Sequence, residues 1–230
     1  MENIRVIAFD ADDTLWVNEP YFRETETKFA ELLKDFLPQH STIAELYKTE
    51  IANLPLYGYG IKGFMLSMVE TVLRITDGNI RTDVIAQVIN LGQEMLNKSI
   101  ELLDDVEKVL QALNGQYRLV VATKGDLLDQ ERKLKKSGLD HYFHHIEIMS
   151  DKKEQDYLKL LKHLDCAPEH FLMIGNSLKS DVLPVLNIGG TAVHVPYHTT
   201  WIHEHIDHTI EHQNFYEVEK LADLLPELIR

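Results

Sequence analysis

Apolar residues follow two different spacings along the chain, and the change of spacing divides it into a core and an insert. Residues 4–9 form a short apolar, β-branched run that stops at Asp10, as a buried strand of a parallel sheet does. From residue 18 to residue 98, apolar residues instead recur at helical spacing in four successive sets. The pattern therefore predicts an insert of about four helices within a domain that contains strands.

Strands and helices alternate after residue 98. The pattern predicts helices over 104–113, 127–136, 153–164 and 177 to about 186, and strands over 117–122, 145–149, 171–174 and 191–195. Such alternation is typical of a parallel sheet with helices on both faces. The sequence thus predicts an α/β fold, with residues 1–17 and 99–230 in the core and residues 18–98 in an all-α insert.

Polar residues follow each of the first four predicted core strands. In chain order they are Asp10, Asp12, Asp13 and Thr14, then Thr123 and Lys124, then Lys152 and Lys153, then Asn176, Ser177 and Asp181. Because ligands bind at the carboxyl ends of parallel strands, we expect these side chains to converge. Clustered carboxylates need a compensating cation, and oxygen ligands favour Mg²⁺. A carboxylate can attack phosphorus while a second one protonates the leaving oxygen, so the set indicates phosphoryl chemistry.

Four segments resemble, in order, the motifs of the haloacid dehalogenase superfamily. Residues 9–15 are similar to its Asp-x-Asp-x-Thr loop, and residues 120–123 to its apolar second motif ending in threonine. Lys152 resembles the lysine of the third motif, and residues 174–181 resemble the acidic fourth motif. The resemblance covers residues 4 to about 195. It implies a three-layer Rossmann-like core with a parallel sheet and a helical cap between the first and second motifs.

The resemblance also implies roles for individual residues. Asp10 would be the nucleophile and Asp12 the general acid and base, while Thr123 and Lys152 would bind the phosphoryl group. A Mg²⁺ ion would be held by Asp10, by the backbone carbonyl of Asp12 and by the fourth-motif residues Asn176 and Asp181. The expected activity is hydrolysis of a small phosphorylated metabolite through an aspartyl-phosphate intermediate.

Three positions leave an ambiguity. Asn176 stands where the family usually has an aspartate, so either the metal ion binds more weakly or Asp181 carries more of the charge that faces it. Lys152 and Lys153 are adjacent, and the distance along the chain to Tyr157 favours Lys152 as the phosphate ligand. Lys124 either contacts the phosphorylated substrate or is simply solvated.

Other functions are compatible with parts of this pattern. A 2-haloacid dehalogenase would use the same nucleophile, but a leaving halide needs no proton, so Asp12 argues against it. A phosphomutase would use the same residues and stays open. A phospho-acceptor receiver domain is shorter and accepts phosphate on an aspartate at the end of its third strand, which is missing here.

Composition and charge restrict the partners and the compartment. Apolar residues make up 44% of the 230 residues and the formal net charge is -14, which disfavours nucleic acid and anionic lipid as partners. No apolar stretch approaches the length of a membrane helix. The single cysteine, Cys166, excludes a disulfide within the chain and fits a reducing, cytoplasmic location. We expect a small phosphorylated molecule as the partner, and the sequence leaves monomer and dimer open.

Overall fold

The computed structural model describes residue 1 and residues 3–229, and the chain divides into two compact units. The sheet unit contains Met1–Glu19, Ile100–Lys124 and the chain from Gln130 onward, and the helical unit contains Pro20–Ser99 and Gly125–Asp129. The sequence placed residues 125–129 in the core. They associate with the helical unit because Asp126 forms an ion pair of 2.8 Å with Lys62 and lies against Gly60.

The described part of the sheet unit contains one parallel sheet of six strands. They are β1 (Val6–Phe9), β2 (Arg118–Lys124), β3 (His145–Met149), β4 (Phe171–Gly175), β5 (Thr191–His194) and β6 (Phe215–Glu217). Their order across the sheet is β3-β2-β1-β4-β5-β6, and each neighbouring pair runs parallel. The predicted α/β class with a parallel sheet is confirmed, while β6 was not predicted.

The central strand β1 is buried on both faces of the sheet. Ile7 and Phe9 point into one apolar layer, and Val6 and Ala8 point into the other, as the two-residue period of a strand requires. All four side chains are fully buried. A continuous apolar run without polar alternation is therefore the correct signature for this strand, because both of its faces are covered by helices.

The helical unit is built from four helices, as the spacing of apolar residues predicted. They are α1 (Glu19–Leu32), α2 (Gln39–Tyr57), α3 (Ile61–Ile75) and α4 (Thr82–Asn97). The first residue of α1, Glu19, is the last residue of the first segment of the sheet unit. Phe29, Leu46, Met68 and Val88, which come from four different parts of this segment, are fully buried in one apolar cluster. The unit therefore has a hydrophobic core of its own.

The remaining helices lie after the insert. They are α5 (Val106–Leu113), α6 (Leu127–Ser137), α7 (Glu154–His163), α8 (Leu183–Asn187) and α9 (Leu225–Leu228). A π-helical turn over Leu178–Val182 precedes α8, so the single helix predicted from residue 177 begins with an irregular turn. Such turns are rare in proteins overall, but those that occur are often found at functional sites. Within the described residues, no helix has both the length and the apolar character needed to cross a membrane.

The segments that precede and follow the helical insert pair with each other inside the sheet unit. The Val17 N–H donates to the Glu101 carbonyl at 2.9 Å, and the Leu103 N–H donates to the Leu15 carbonyl at 3.0 Å. Between these two hydrogen bonds, Trp16 forms an antiparallel bridge with Leu102. The chain therefore leaves the sheet unit and returns to it at neighbouring points.

Candidate active site

The central strand β1 lies between β2 and β4 in the sheet. The chain adds strands on one side of β1 up to β3 and then continues on the other side from β4, so the strand order changes direction at this point. In parallel sheets of this kind the crevice at such a point, outside the carboxyl ends of the strands, is where ligands bind. Asp10 directly follows β1, and its backbone N–H donates to the Ile174 carbonyl of β4 at 2.8 Å. The fold therefore fixes the backbone of Asp10 at the centre of this edge.

Lys152 lies between two carboxylates at this edge. Its ammonium group donates to Asp10 Oδ1 in a short contact and to Asp181 Oδ1 at 2.6 Å. The side chains are almost inaccessible, with 1% of Lys152, 10% of Asp10 and 1% of Asp181 exposed. Two acids share one base here, so the trio has a formal excess of one negative charge in a low-dielectric environment.

The pKa values in this trio reflect both burial and the imbalance of charge. Burial raises the pKa of Asp10 to about 7, with a further contribution from Asp181, although Lys152 opposes the increase. Burial alone would lower the pKa of Lys152, but Asp10 and Asp181 outweigh it and raise that pKa to about 12. An additional cation beside Asp10 would therefore stabilise its ionised form.

The loop after β1 is shaped by local hydrogen bonds. The Ala11 carbonyl accepts from the Leu15 N–H at 2.8 Å, and Asp13 adopts a left-handed conformation with φ of 61°. The Asp13 carboxylate accepts from the N–H groups of Asn18 and Glu19 at 2.8 and 2.9 Å, which satisfies backbone donors at the start of α1. Burial raises the pKa of Asp13 to about 8. Asp13 is thus part of the loop's framework.

Side-chain oxygens of Asp10 and Asn176 lie near the same hydroxyl group. The Thr14 hydroxyl is 3.5 Å from Asp10 Oδ2 and 3.4 Å from Asn176 Oδ1, so both oxygens lie within reach of one side chain. His194 Nε2 lies 3.0 Å from the Asn176 backbone carbonyl and helps to fix that residue. Asp10 Oδ2 is the carboxylate oxygen that Lys152 does not contact.

This donor set fits a hard cation such as Mg²⁺. The side-chain donors are a carboxylate and an amide oxygen, and Mg²⁺ prefers oxygen ligands and retains several waters. Among residue 1 and residues 3–229, no three His, Cys, Asp or Glu side chains form a group able to hold a metal ion. A site made of one carboxylate, one amide, a backbone carbonyl and water does not require such a group.

Asp181 is held tightly by its own motif. Its Oδ2 accepts from the Ser177 N–H at 3.0 Å, while its Oδ1 binds Lys152. A Cβ atom at Gly175 would lie 2.2 Å from Asp181 Oδ2, so only glycine leaves room for this carboxylate. Both oxygens of Asp181 are engaged by protein groups, and its role as a direct metal ligand stays a prediction.

The two candidate lysines of the third motif have different environments. Lys152 contacts Asp10, whereas the Lys153 side chain is 71% exposed and pairs with Asp151 at 2.8 Å. Thr123 ends the second motif and is 2% exposed, with its hydroxyl 3.2 Å from the Lys124 carbonyl. The geometry therefore favours Lys152 over Lys153, and phosphate binding by Lys152 and Thr123 stays a prediction.

Lys124 has a partner that the sequence did not indicate. Its ammonium group lies 2.6 Å from Glu204 Oε1 and 2.9 Å from Ser180 Oγ, and 14% of the side chain is exposed. Glu204 also accepts hydrogen bonds from the hydroxyls of Ser177 and Ser180. Burial alone would raise the pKa of Glu204, but Lys124 and the serine hydroxyls lower it to about 2. No local pattern points to Glu204, because it lies in the irregular segment after β5.

Asp12 is bound by donors from two parts of the sheet unit. Trp16 Nε1 lies 2.7 Å and Lys133 Nζ 2.9 Å from Asp12 Oδ1, while Gln130 Nε2 lies 2.8 Å from Asp12 Oδ2. The four motifs did not indicate Gln130 or Lys133. Their spacing of three residues in α6, directly after the second motif, places them on one helix face and is the signal that could have revealed them.

A family model for haloacid dehalogenase-like hydrolases matches residues 4–189 of this chain. The chain belongs to the haloacid dehalogenase-like hydrolases. The hydrolase is also similar to a solved haloacid dehalogenase-like family hydrolase from Xanthomonas campestris, with 36% identity and a TM-score of 0.87. That similarity covers 99% of this chain and 91% of the other. The family expected from the four motifs is therefore confirmed.

Two curated relatives of this hydrolase are named as phosphatases. N-acylneuraminate-9-phosphatase of Mus musculus is 23% identical, over 89% of this chain and 84% of that protein. Glyceraldehyde 3-phosphate phosphatase of Pyrococcus furiosus is 25% identical, over 86% of this chain and 82% of that protein. Both similarities extend over most of each chain, so they include the sheet unit and the helical unit.

Proposed function

We propose that this hydrolase is a Mg²⁺-dependent phosphatase that acts on a small phosphorylated metabolite through an aspartyl-phosphate intermediate. The observation that carries the proposal is the buried trio at the carboxyl end of β1, in which Lys152 joins Asp10 to Asp181. The names of the two curated relatives support a phosphorylated substrate of low molecular mass.

In the proposed reaction, a carboxylate oxygen of Asp10 attacks phosphorus and the bond from phosphorus to the ester oxygen breaks. Asp12 donates a proton to the leaving oxygen, and Lys152 and the Thr123 hydroxyl bind phosphoryl oxygens. Asp12 then accepts a proton from water as the water oxygen attacks the phosphorus of the aspartyl phosphate. Inorganic phosphate leaves and Asp10 is regenerated.

Bound Mg²⁺ would be held by Asp10, Asn176 and the backbone carbonyl of Asp12, and would offset the negative charge of the phosphoryl group. Asn176 is neutral, so the protein contributes less negative charge to this cation than an aspartate at the same position would. Asp181 supplies that missing charge indirectly in this arrangement, because it orients Lys152 and compensates for its charge.

The proposed partner is a small phosphorylated molecule rather than nucleic acid or a membrane, and the proposed location is the cytoplasm. A formal charge of -14 and a single cysteine support these two statements.

Two alternatives within the family differ in their products. A phosphomutase would return the phosphoryl group to its product, and a 2-haloacid dehalogenase would release halide without a metal ion.

The proposal is tested by the hydrolysis of p-nitrophenyl phosphate with Mg²⁺, with excess EDTA and with the Asp10→Asn variant. We expect turnover that requires Mg²⁺ and falls more than about 10³-fold in Asp10→Asn, because the nucleophile is lost. Asp165→Asn is the matched control, because Asp165 is exposed. Turnover that persists in Asp10→Asn, or halide release from a 2-haloacid in EDTA, would contradict the proposal. A screen of phosphorylated metabolites for inorganic phosphate release then separates a phosphatase from a mutase.

A further inference from the structure

Two side chains of α6 converge on the carboxyl group of Asp12. Gln130 Nε2 donates to Asp12 Oδ2 at 2.8 Å, and Lys133 Nζ donates to Asp12 Oδ1 at 2.9 Å. Gln130 is 4% exposed and the Lys133 side chain is 13% exposed, so water is largely excluded from both contacts. Trp16 Nε1 donates to the same carboxylate at 2.7 Å from within the loop that carries Asp12.

The Gln130 amide also joins the first motif to the second. Its Nε2 lies 2.8 Å from the Lys124 carbonyl and 3.5 Å from the Thr123 hydroxyl, in addition to its contact with Asp12. One amide group thus ties the proposed acid to the strand end that is proposed to bind the phosphoryl group. A displacement of α6 would move these groups relative to one another.

The two polar atoms of the Gln130 amide have different environments. Within the described residues, Gln130 Oε1 is buried and accepts no hydrogen bond from a protein group. An unpaired buried acceptor carries a free-energy penalty. The orientation of the amide therefore leaves Oε1 unpaired and directs Nε2 to Asp12 and to the Lys124 carbonyl.

The direction of the Asp12 carboxyl matters for the proposed reaction. A general acid must lie within hydrogen-bond reach of the oxygen that it protonates, and a misplacement of about 1 Å can lower the rate about 10²-fold. The Asp12 side chain is 23% exposed, so packing alone does not fix its orientation. Donors on both of its oxygens fix the plane of the carboxyl group.

We infer that Gln130 and Lys133 are positioning residues that orient the Asp12 carboxyl for proton transfer to the leaving group. This inference rests on the proposed function. The competing explanation is that Lys133 only joins α6 to the loop after β1, since its ammonium group also donates to Asn18 Oδ1 at 2.8 Å. The two explanations differ in how the effect of a substitution depends on the substrate's leaving group.

The experiment compares kcat/KM for p-nitrophenyl phosphate and ethyl phosphate in the full chain with Mg²⁺. Nitrophenolate leaves without a proton, whereas an alkoxide needs one, so only ethyl phosphate depends strongly on the acid. The ratio kcat/KM reports the first phosphoryl transfer and excludes the later hydrolysis of the aspartyl phosphate. Asp12→Asn supplies the reference pattern for complete loss of the acid.

We expect Lys133→Met and Gln130→Met to lower kcat/KM for ethyl phosphate by about 10- to 100-fold and that for p-nitrophenyl phosphate by less than about threefold. Lys133→Arg should recover most of the loss, because it keeps a cationic donor. Lys136→Met, which removes an exposed lysine of the same helix, should leave both values unchanged. Gln130→Met also removes the hydrogen bonds to Asp12 and to the Lys124 carbonyl, so its unfolding temperature is measured beside its kinetics.

Equal losses on both esters in Lys133→Met and Gln130→Met would overturn the positioning role, and the proposed function would stand if the unaltered chain hydrolyses both. Absence of phosphate release from either ester by the unaltered chain would overturn the proposed function and this inference together. A lower unfolding temperature for Gln130→Met, without a dependence on the leaving group, would show that the amide serves the fold.

Discussion

The lysines at the carboxyl ends of β2 and β3 differ in their exposure and in the groups that they contact. Lys152 is 1% exposed and binds two carboxylates, so its surroundings carry an excess of negative charge. The Lys124 side chain is 14% exposed, and its ammonium group lies 2.6 Å from Glu204 Oε1 and 2.9 Å from the hydroxyl of Ser180. A buried base shared by two acids leaves a net negative charge, and such a cluster is suited to bind a further cation. We therefore propose that Lys152 takes part in the phosphoryl chemistry, while phosphate binding by Lys124 stays a prediction.

Replacement of Lys152 should have the largest effect. Lys152→Met leaves Asp10 and Asp181 buried without their cation, which we expect to lower the free energy of unfolding by about 3–5 kcal/mol. Phosphate ester hydrolysis should fall by at least about 10²-fold. Urea unfolding and turnover of p-nitrophenyl phosphate measure the two effects. Lys153→Met is the matched control and should change stability by less than about 0.5 kcal/mol, and similar effects from both variants would contradict the assignment.

Replacement of Glu204 should have a smaller effect that depends on pH. The pKa of Glu204 falls from 4.5 to about 2 on folding, so ionised Glu204 stabilises the fold above pH 4.5 and this contribution is lost as pH falls toward 2. Glu204→Gln should therefore lose up to about 3 kcal/mol of unfolding free energy at pH 7 and much less near pH 3.

Urea unfolding at both pH values measures the effect of Glu204→Gln. Glu211→Gln, at an exposed position of the same irregular segment, should lose little at either pH. A loss for Glu204→Gln that does not change with pH would show that the pair with Lys124 is not the source of the stability.

The smallest change in stability is expected at Gly175. A Cβ atom there would displace the Asp181 carboxylate, which lies within 2.2 Å of its position, and we expect Gly175→Ala to lose about 1–3 kcal/mol. Hydrolysis should fall about tenfold or more, because Asp181 holds Lys152. Gly115→Ala is the comparison variant: it strains the backbone at φ of 81°, but its Cβ meets no atom within 4 Å. Full activity in both variants would show that the position of Asp181 is unimportant.

The parts of the fold predictable from sequence are those with strong local patterns. Buried strands such as β1 and β4 are continuous apolar runs, and the rule that ligands bind at strand ends placed Asp10, Lys152 and Asn176 in one set. The strand β6 was missed because it has three residues and is defined by its pairing with β5. The π-helical turn before α8 was read as part of an ordinary helix, because apolar spacing does not distinguish the two.

The contacts around the candidate site were less predictable than the set of residues. Glu204 reaches Lys124 from 80 residues further along the chain, and no local periodicity encodes such a contact. Gln130 and Lys133 share a helix face that the sequence does reveal, but the residue that this face meets depends on tertiary packing. The sequence therefore predicted which residue types lie at the strand ends, whereas the side chains that they contact could be identified only from the fold.

The pairing of residues 15–17 with residues 101–103 gives the insert a common entry and exit. To the sheet unit, everything between Val17 and Glu101 is topologically a loop whose base is already closed by backbone hydrogen bonds. Closing a flexible loop depends only logarithmically on its length, with about 0.6 kcal/mol for each doubling. We therefore expect changes in the length of the insert to have little effect on the strands that hold Asp10 and Lys152, provided that its contact with residues 125–129 is kept.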